Sequence, residues 1–478
     1  MFDRSFGRVI RNLVTGCTTV RVAVIGAKEC GKTVFLTALA NHLQHPVQFA
    51  NPQDGGLDLH GWSILPAEDE DEPHPTIPAF EYGAARDRLC HGEWPDNTRG
   101  VSLLRRRFRL EDRKGRRRTI LLEMLDLPGE RVADLSMKGR DFREWSAWME
   151  RRFGGETGVS RHYLDYLRSI ESTDDVGIVL SRYKDCVSSQ YADGIMTITP
   201  SVLKLGADGV FRGGVPAADF RRNIESCPVG VDADSQFAPL PGAFFEEEAH
   251  RGLVRRFAAA YERYRAKVVE PIAKWVSDAN KVIYLVDVLS LLRRGPEAYN
   301  AEREFAVQAL RLFRRTSHDF ILADFFLDFL GAFVRTRADG VYVVATKSDT
   351  VVGDVNRNHM KNLAETMMGN TLAKLNFPRG QVEVLTCASV LTSDEFGDEK
   401  ALSARVESAA QDAEGRPVVE EKKYRVSDVP MDWPDGDKWL ACAAEFDFRP
   451  TFPRFDRRTD KPPRHLGLDA LVRRLLSL

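Results

Sequence analysis

The sequence predicts an α/β fold: a mainly parallel sheet with one antiparallel edge strand, carrying a large, mostly helical insertion. Three observations carry this expectation. Apolar runs near 20–25, 119–125, 281–288, 341–345 and 382–385 have the nearly unbroken hydrophobicity of strands buried on both faces. Helical spacing lies between most of them, as in a βαβ series. The stretch 136–279 has mostly helical spacing, with an irregular middle between Ile195 and Pro241.

Taken in order, residues 4–14 read as a short amphipathic helix and Val20–Ile25 as a strand. A glycine-containing loop follows. Val34–Leu43 then reads as a helix with Phe35, Leu36, Leu39 and Leu43 on one side. Residues 45–97, rich in Pro, Gly and acidic side chains, read as a long loop. Val101–Leu110 and Arg118–Leu125 form an antiparallel hairpin around Asp112, Lys114 and Gly115. The insertion ends in a long helix with Leu253, Phe257, Tyr261, Tyr264, Val268 and Ile272 on one face, bent at Pro271. Strand Lys281–Val288, helix Arg303–Val334, strand Val341–Ala345, helix 355–375 and strand Val382–Leu385 follow. Residues 392–455 read as polar and irregular, and Leu466–Leu476 as a closing helix. The expected organisation is a discontinuous nucleotide-binding domain, 1–135 with 280–478, and an insertion domain, 136–279.

Bulk properties exclude several classes. The chain has 478 residues, 43% hydrophobic and 29% charged, enough for several folding units. A net charge of −2 gives no global attraction to nucleic acid or an anionic membrane. Seven scattered cysteines without a CxxC pair read as reduced thiols of a cytoplasmic protein. The apolar residues of Met1–Leu13 are interrupted by arginines, unlike a signal peptide. Phe320–Val334 carries Asp324 and Asp328 and falls short of the roughly 20 residues of a membrane span, so it reads as a buried helix. No transmembrane segment is expected; any association with the inner membrane is peripheral.

Gly26-Ala27-Lys28-Glu29-Cys30-Gly31-Lys32-Thr33 matches G-x-x-x-x-G-K-[ST] between a strand and a helix, the context this phosphate loop requires. Glycines let the backbone turn sharply and present N–H groups to a polyanion. The helix that follows, entered at Val34, aims its N-terminal dipole at the same place. Lys32 can reach β- and γ-phosphates, and the Thr33 hydroxyl can ligate Mg²⁺. Asp126-Leu127-Pro128-Gly129 ends the next strand, where a carboxylate holds Mg²⁺ through water and the Gly129 N–H can meet a γ-phosphate. An ordinary Pro-Gly turn is the alternative for this motif taken alone.

Thr346-Lys347-Ser348-Asp349, after the 341–345 strand, matches [NT]-K-x-D. Guanine presents N1–H and an exocyclic amino group side by side, and the Asp349 carboxylate can accept both. Adenine lacks that pair of donors. The Lys347 stem can cover the purine face. Cys387-Ala388-Ser389 follows the last strand, where a backbone contact to guanine O6 is expected; Cys is a departure from the usual Ser. Together these motifs predict a Ras-like P-loop core that takes GTP or GDP with Mg²⁺. Thr98, in Asn97-Thr98-Arg99-Gly100, is the expected switch I threonine for Mg²⁺ and the γ-phosphate, with Thr76 as the alternative. Glu130 stands where a water-orienting glutamine is common; it is either that group or a solvated switch residue. Arg99 and Arg131 are candidate charge stabilisers, or plain surface arginines.

Val24-Ile25-Gly26 through Leu39, Asn97–Gly100, Leu125–Glu130, Val268-Val269-Glu270-Pro271, Ile283–Leu289 and Ala345–Asp349 together resemble the YcjX-like family of bacterial P-loop proteins, described as stress-associated GTPases. The resemblance implies a Ras-like domain with a helical insertion after switch II, GTP/GDP binding and a bacterial cytosolic setting. The segments 45–97 and 392–455 are less typical of it. The function expected is slow GTP hydrolysis as a nucleotide-dependent switch, with an unidentified protein partner contacting the helical insertion. A mechanochemical, membrane-associated GTPase is one alternative, but the insertion shows no apolar or strongly basic tip. Nucleic-acid binding through Arg105, Arg106, Arg107, Arg113, Lys114, Arg116, Arg117 and Arg118 is another. A charged, solvated hairpin is the simpler account of those residues.

Overall fold

The computed structural model describes residues 17–27, 29–44, 56–65, 77–95, 101–127, 134–153, 161–171, 175–192, 236–311, 313, 339–374, 381–411, 417–442, 445–446, 448–454 and 462–478. Its strands are β1 (Cys17–Ile25), β2 (Trp62–Leu65), β3 (Ser102–Asp112), β4 (Arg117–Asp126), β5 (Lys281–Val286), β6 (Gly340–Thr346), β7 (Val382–Cys387), β8 (Ser393–Phe396), β9 (Ala401–Gln411) and β10 (Pro417–Arg425). Its helices are α1 (Lys32–Gln44), α2 (Tyr82–Cys90), α3 (Phe142–Phe153), α4 (Arg161–Ser169), α5 (Val176–Ala192), α6 (Arg251–Tyr264), α7 (Glu270–Ser277), α8 (Val288–Arg294), α9 (Pro296–Arg311), α10 (Gly353–Lys374), α11 (Gly436–Cys442) and α12 (Leu468–Leu476). The helices expected at 4–14 and Phe320–Val334 lie outside the described residues.

Among the described residues the main sheet has seven strands in the order β2-β3-β4-β1-β5-β6-β7. From β4 to β7 every neighbouring pair is parallel, and β3 runs antiparallel to β4. This is the α/β architecture expected. One detail differs: β2 pairs with β3 and lies outside it, Trp62 opposite Asp112. The supposed loop 45–97 therefore contributes an edge strand, and α2 as well. Four residues are too few for β2 to display a period in the sequence.

The central strands are apolar on both faces because both faces are covered. Every residue of β5 and of β6 is buried. Side chains alternate between faces. Ala23, Ile25, Val282, Tyr284, Val286, Val343 and Ala345 pack with α7, α8, α9 and α10. Val22, Val24, Ile283, Leu285 and Val344 pack with α1 and α12. In α12 the buried residues Leu468, Leu471, Val472, Leu475 and Leu476 recur at the spacing of one helical stripe.

A third cluster gathers aromatic residues of α3 to α6, with Trp145 5.3 Å from Tyr261 and 5.5 Å from Phe237 between ring centroids. The expected bend at Pro271 takes the form of a π-helical turn, Arg265–Val269, between α6 and α7. Pro271 has no N–H for the carbonyl of Lys267, so a regular α-turn cannot close there. The widened turn absorbs the mismatch. Arg265 spans it, pairing with Glu262 at 2.6 Å and Glu270 at 3.4 Å.

Residues 392–455 require a correction. They are not irregular: β8, β9 and β10 form a three-stranded antiparallel sheet. Leu402, Ala404, Val406 and Tyr424 pack on Val352, while the intervening positions are polar. A sheet with one small apolar face has low average hydrophobicity, which conceals its alternation. The basic β3–β4 hairpin has acidic partners within the chain: Arg116 meets Asp112 at 2.6 Å, Arg117 meets Glu111 at 3.3 Å and Arg105 meets Glu123 at 3.3 Å. Among the described residues no helix is long and apolar enough to cross a membrane.

Candidate functional site

The strands β4, β1, β5, β6 and β7 end at one edge of the sheet, and the candidate residues gather there. The loop after β1 crosses so close to β5 that a Cβ at Gly26 would lie 2.5 Å from the Leu285 carbonyl oxygen and 2.5 Å from Cys30 Sγ. Only glycine fits. Gly31, with φ at +92°, occupies backbone space that side chains disfavour. Glu29 is also left-handed, and Arg294 of α8 holds its carboxylate at 3.1 Å. Lys32 is buried, and its ammonium donates to the carbonyls of Gly26 (2.9 Å) and Ala27 (2.7 Å). The cation thus sits inside the loop that precedes it. Burial raises the Cys30 thiol pKa, keeping it uncharged. The Phe35 N–H donates to Gly31 O at 2.9 Å and starts α1, with half-buried Thr33 in its first turn. Val34 packs beside Ala38, Leu89 and Val390.

Asp126 is the last residue of β4 and is buried. It lies opposite Val24 of β1 in parallel register, which brings its carboxylate beside the strand leading into the loop. Lys28, Thr98, Arg99, Gly129 and Glu130, with the alternatives Thr76 and Arg131, lie outside the described residues.

Beyond β6, Thr346 is buried and donates to Val286 O at 3.3 Å. Lys347 takes a left-handed conformation and donates to Asp287 Oδ2 at 2.5 Å. Asp287 follows β5 and caps α8, its Oδ1 accepting from the Ser290 N–H at 3.0 Å. Asp349 is buried, and its Oδ2 accepts from the Thr392 N–H (2.7 Å) and the Thr392 hydroxyl (2.6 Å). Burial raises the Asp349 carboxyl pKa, and the Thr392 bonds recover only part of that shift.

The loop after β7 differs from expectation. Cys387 is buried, 3.9 Å from Ser389 Oγ, with its thiol pushed up to about 12 by burial. Ala388 pairs with Leu466, donating its N–H to Leu466 O at 2.9 Å and accepting back at 2.8 Å. The backbone donation to guanine O6 expected from this loop is therefore not open at Ala388.

Three residues of this region escaped the sequence reading of roles. Asp287 stood in the strand-like run Ile283–Leu289, which carried the family resemblance but gave the carboxylate no role. Thr392 lay in a stretch read as irregular. Glu302 of α9 is buried and accepts from Tyr284 Oη at 2.5 Å. Burial pushes the Glu302 carboxyl pKa up to about 7, with Lys32 and Arg294 opposing. It stood just before the helix read at Arg303–Val334 and carried no signal.

Along the edge, then, an enclosed ammonium and a hydroxyl follow β1, one carboxylate ends the neighbouring strand β4, and a second carboxylate follows β6, beyond β5. A family model described as the YcjX-like family, DUF463, matches residues 20–206 and 229–477. This chain belongs to the YcjX-like family. The YcjX-like chain is 25% identical to a protein of Escherichia coli strain K12 named Ras-like GTPase YcjX, across 96% of this chain and 95% of that relative. It is 24% identical to a protein of the same name from Shewanella oneidensis strain MR-1, across 78% of this chain and 76% of that relative.

Proposed function

We propose that this YcjX-like chain binds GTP and GDP with Mg²⁺, hydrolyses GTP slowly and works as a nucleotide-dependent switch. One observation carries the reading: Gly26–Thr33, Asp126 and Thr346–Asp349 follow or end strands that share one edge of a mainly parallel sheet. Ligands bind at that edge in open α/β sheets. The names of the two relatives described above point the same way.

In this reading the loop Gly26–Gly31 wraps the phosphates with backbone N–H groups. Lys32 exchanges its bonds to Gly26 and Ala27 for phosphate oxygens, a charge-assisted contact from a position already inside the loop. The Thr33 hydroxyl and the Asp126 carboxylate are hard oxygen donors, which suit Mg²⁺, and the open space beside Gly31, where among the described residues a Cβ would meet nothing within 4 Å, suits phosphate. They would hold the ion with Thr98, Asp126 acting through water. When bound, Mg²⁺ would supply positive charge that offsets the charge of the phosphates. Gly129 meets the γ-phosphate, Glu130 orients the attacking water and Arg99 stabilises the transferred group. A carboxylate at Glu130 adds negative charge beside the γ-phosphate, which is consistent with slow turnover. Asp349 reads the guanine edge and the Lys347 stem covers the base. The insert, residues 136–279, is the surface for a protein partner. A stress-linked role in the bacterial cytoplasm belongs to the reading through the family resemblance.

Titration calorimetry with GDP and ADP tests the base assignment. Loss of a charged two-point contact costs on the order of 2–4 kcal/mol, so ADP should bind at least tenfold more weakly. Equal affinities would overturn it. Lys32→Ala and Thr33→Ala should each abolish tight Mg²⁺–GTP binding while the fold is retained; wild-type affinity in Lys32→Ala would refute the phosphate-loop assignment.

A further inference from the structure

The orientation of the Asp349 carboxylate is set by one neighbour. An ionised carboxylate offers about four lone-pair positions. Thr392 takes two of them, through its N–H at 2.7 Å and its hydroxyl at 2.6 Å. Both bonds fall on Oδ2, so the two positions that remain are on Oδ1, equal in number to the donors on the guanine edge. The terminal torsion of an aspartate is broad, so its own rotamer preference leaves the carboxylate plane undefined. Two bonds from a single buried residue define it.

The direction of the next bond follows from proton counting. A carboxylate can only accept, so the single hydroxyl proton of Thr392 points at Asp349. Thr392 Oγ1 must then accept from Thr451 Oγ1, 2.7 Å away. Thr451 is itself fixed: its carbonyl accepts from Trp94 Nε1 at 2.9 Å, and its backbone bridges Val406 of β9. The Ser393 hydroxyl adds a bond to the Asp349 carbonyl. All of these side chains except Trp94 are buried, and Thr392 immediately precedes β8.

We propose that Thr392 is the specificity-positioning residue of the base site, holding Asp349 in the plane that a guanine edge requires, with Thr451 and the β8–β10 sheet as its support. The proposal rests on Asp349 as the base-reading group. The three-stranded sheet thereby contributes to the base site, since the residue that aligns the nucleotide selector leads directly into its first strand.

The test compares GDP with IDP, whose base lacks the exocyclic amino group and so gains less from a correctly oriented carboxylate. Thr392→Val keeps the shape and the backbone N–H but removes the hydroxyl. The GDP-to-IDP affinity ratio should fall by about tenfold, the scale of one hydrogen bond to a charged group. Thr392→Ser should restore the ratio to within about twofold, since it returns the hydroxyl. Thr451→Val, which removes only the supporting donor, should lower the ratio by a smaller factor; it decides the matter if Thr392→Val does not fold, as judged by thermal unfolding. Folded variants that keep the wild-type ratio, or that lose GDP and IDP affinity equally, overturn the positioning role. A wild-type protein that binds ADP as well as GDP would instead remove the base-reading assignment itself, so the two failures are distinguishable.

Discussion

Tyr284 donates to Glu302 behind the loop that holds Lys32, and both residues are buried. Burial pushes the Glu302 carboxyl pKa up to about 7 from an ordinary value of 4.5, while Lys32 and Arg294 pull it down and Asp287 adds to the rise. The folded state therefore binds this proton more tightly than the unfolded chain does. Stability from Glu302 is fully present below pH 4.5, declines as pH rises towards 7, and is lost above that. Glu302→Gln can still accept from Tyr284 and carries no charge at any pH. Its stability relative to wild type should rise between pH 5 and pH 8 by on the order of 2 kcal/mol, read from urea unfolding at a series of pH values. A difference independent of pH would show that Glu302 does not titrate with folding. Lys32 and Asp349 carry recognisable motifs. Glu302 and Thr392 carry none, because their chemistry comes from partners distant in sequence.

The segment α6, π-turn, α7 is the element that joins the aromatic cluster to the sheet. Its periodicity was legible in Phe257, Tyr261, Tyr264 and Ile272, since one face must stay apolar whichever core it meets. The widening at Arg265–Val269 was foreshadowed only by Pro271. Just before the π-turn Tyr264 Oη donates to Asp134 Oδ2 at 2.7 Å, and Tyr261 Oη donates to Arg140 O at 3.0 Å. Asp134 is the first described residue after the 128–133 stretch that contains Gly129 and Glu130. Tyr264→Phe removes a donor from a buried carboxylate, which costs roughly 1.5–3 kcal/mol. Chemical denaturation should detect that loss; a change below about 0.5 kcal/mol would mean water or another donor takes its place.

For the whole molecule, the two ends of the proposed insert leave it differently. The first emerges from the Gly129–Ala133 stretch and is tied at Asp134 to Tyr264; the second returns through α7 directly into β5. A γ-phosphate held at Gly129 would bias the first end alone, and loss of that contact on hydrolysis should loosen or rotate the insert about the second. Hydrogen exchange on the GDP form and on a form with non-hydrolysable GTP should differ around residues 129–150 and where the insert contacts them. Differences confined to residues 90–105 would assign the signal to switch I and leave the insert a passive scaffold.

The sequence by itself determined the α/β class, the order of its apolar strand runs, the candidate motifs at Gly26–Thr33, Asp126 and Thr346–Asp349, and the helical spacing of the described helices between 142 and 277. Each depends on residues close together in the chain: an apolar run, a glycine spacing, a stripe at helical period. Only the tertiary structure decided the rest. β2 became an edge strand because β3 offers it a pairing surface, and β8–β10 became a sheet because Val352 offers a small apolar face. Leu466 engages the Ala388 N–H, and Thr392 fixes the Asp349 carboxylate, across separations of 78 and 43 residues. Hydrogen bonds between residues so far apart leave no period or spacing in the sequence, since their geometry exists only after the chain has closed the loops between them.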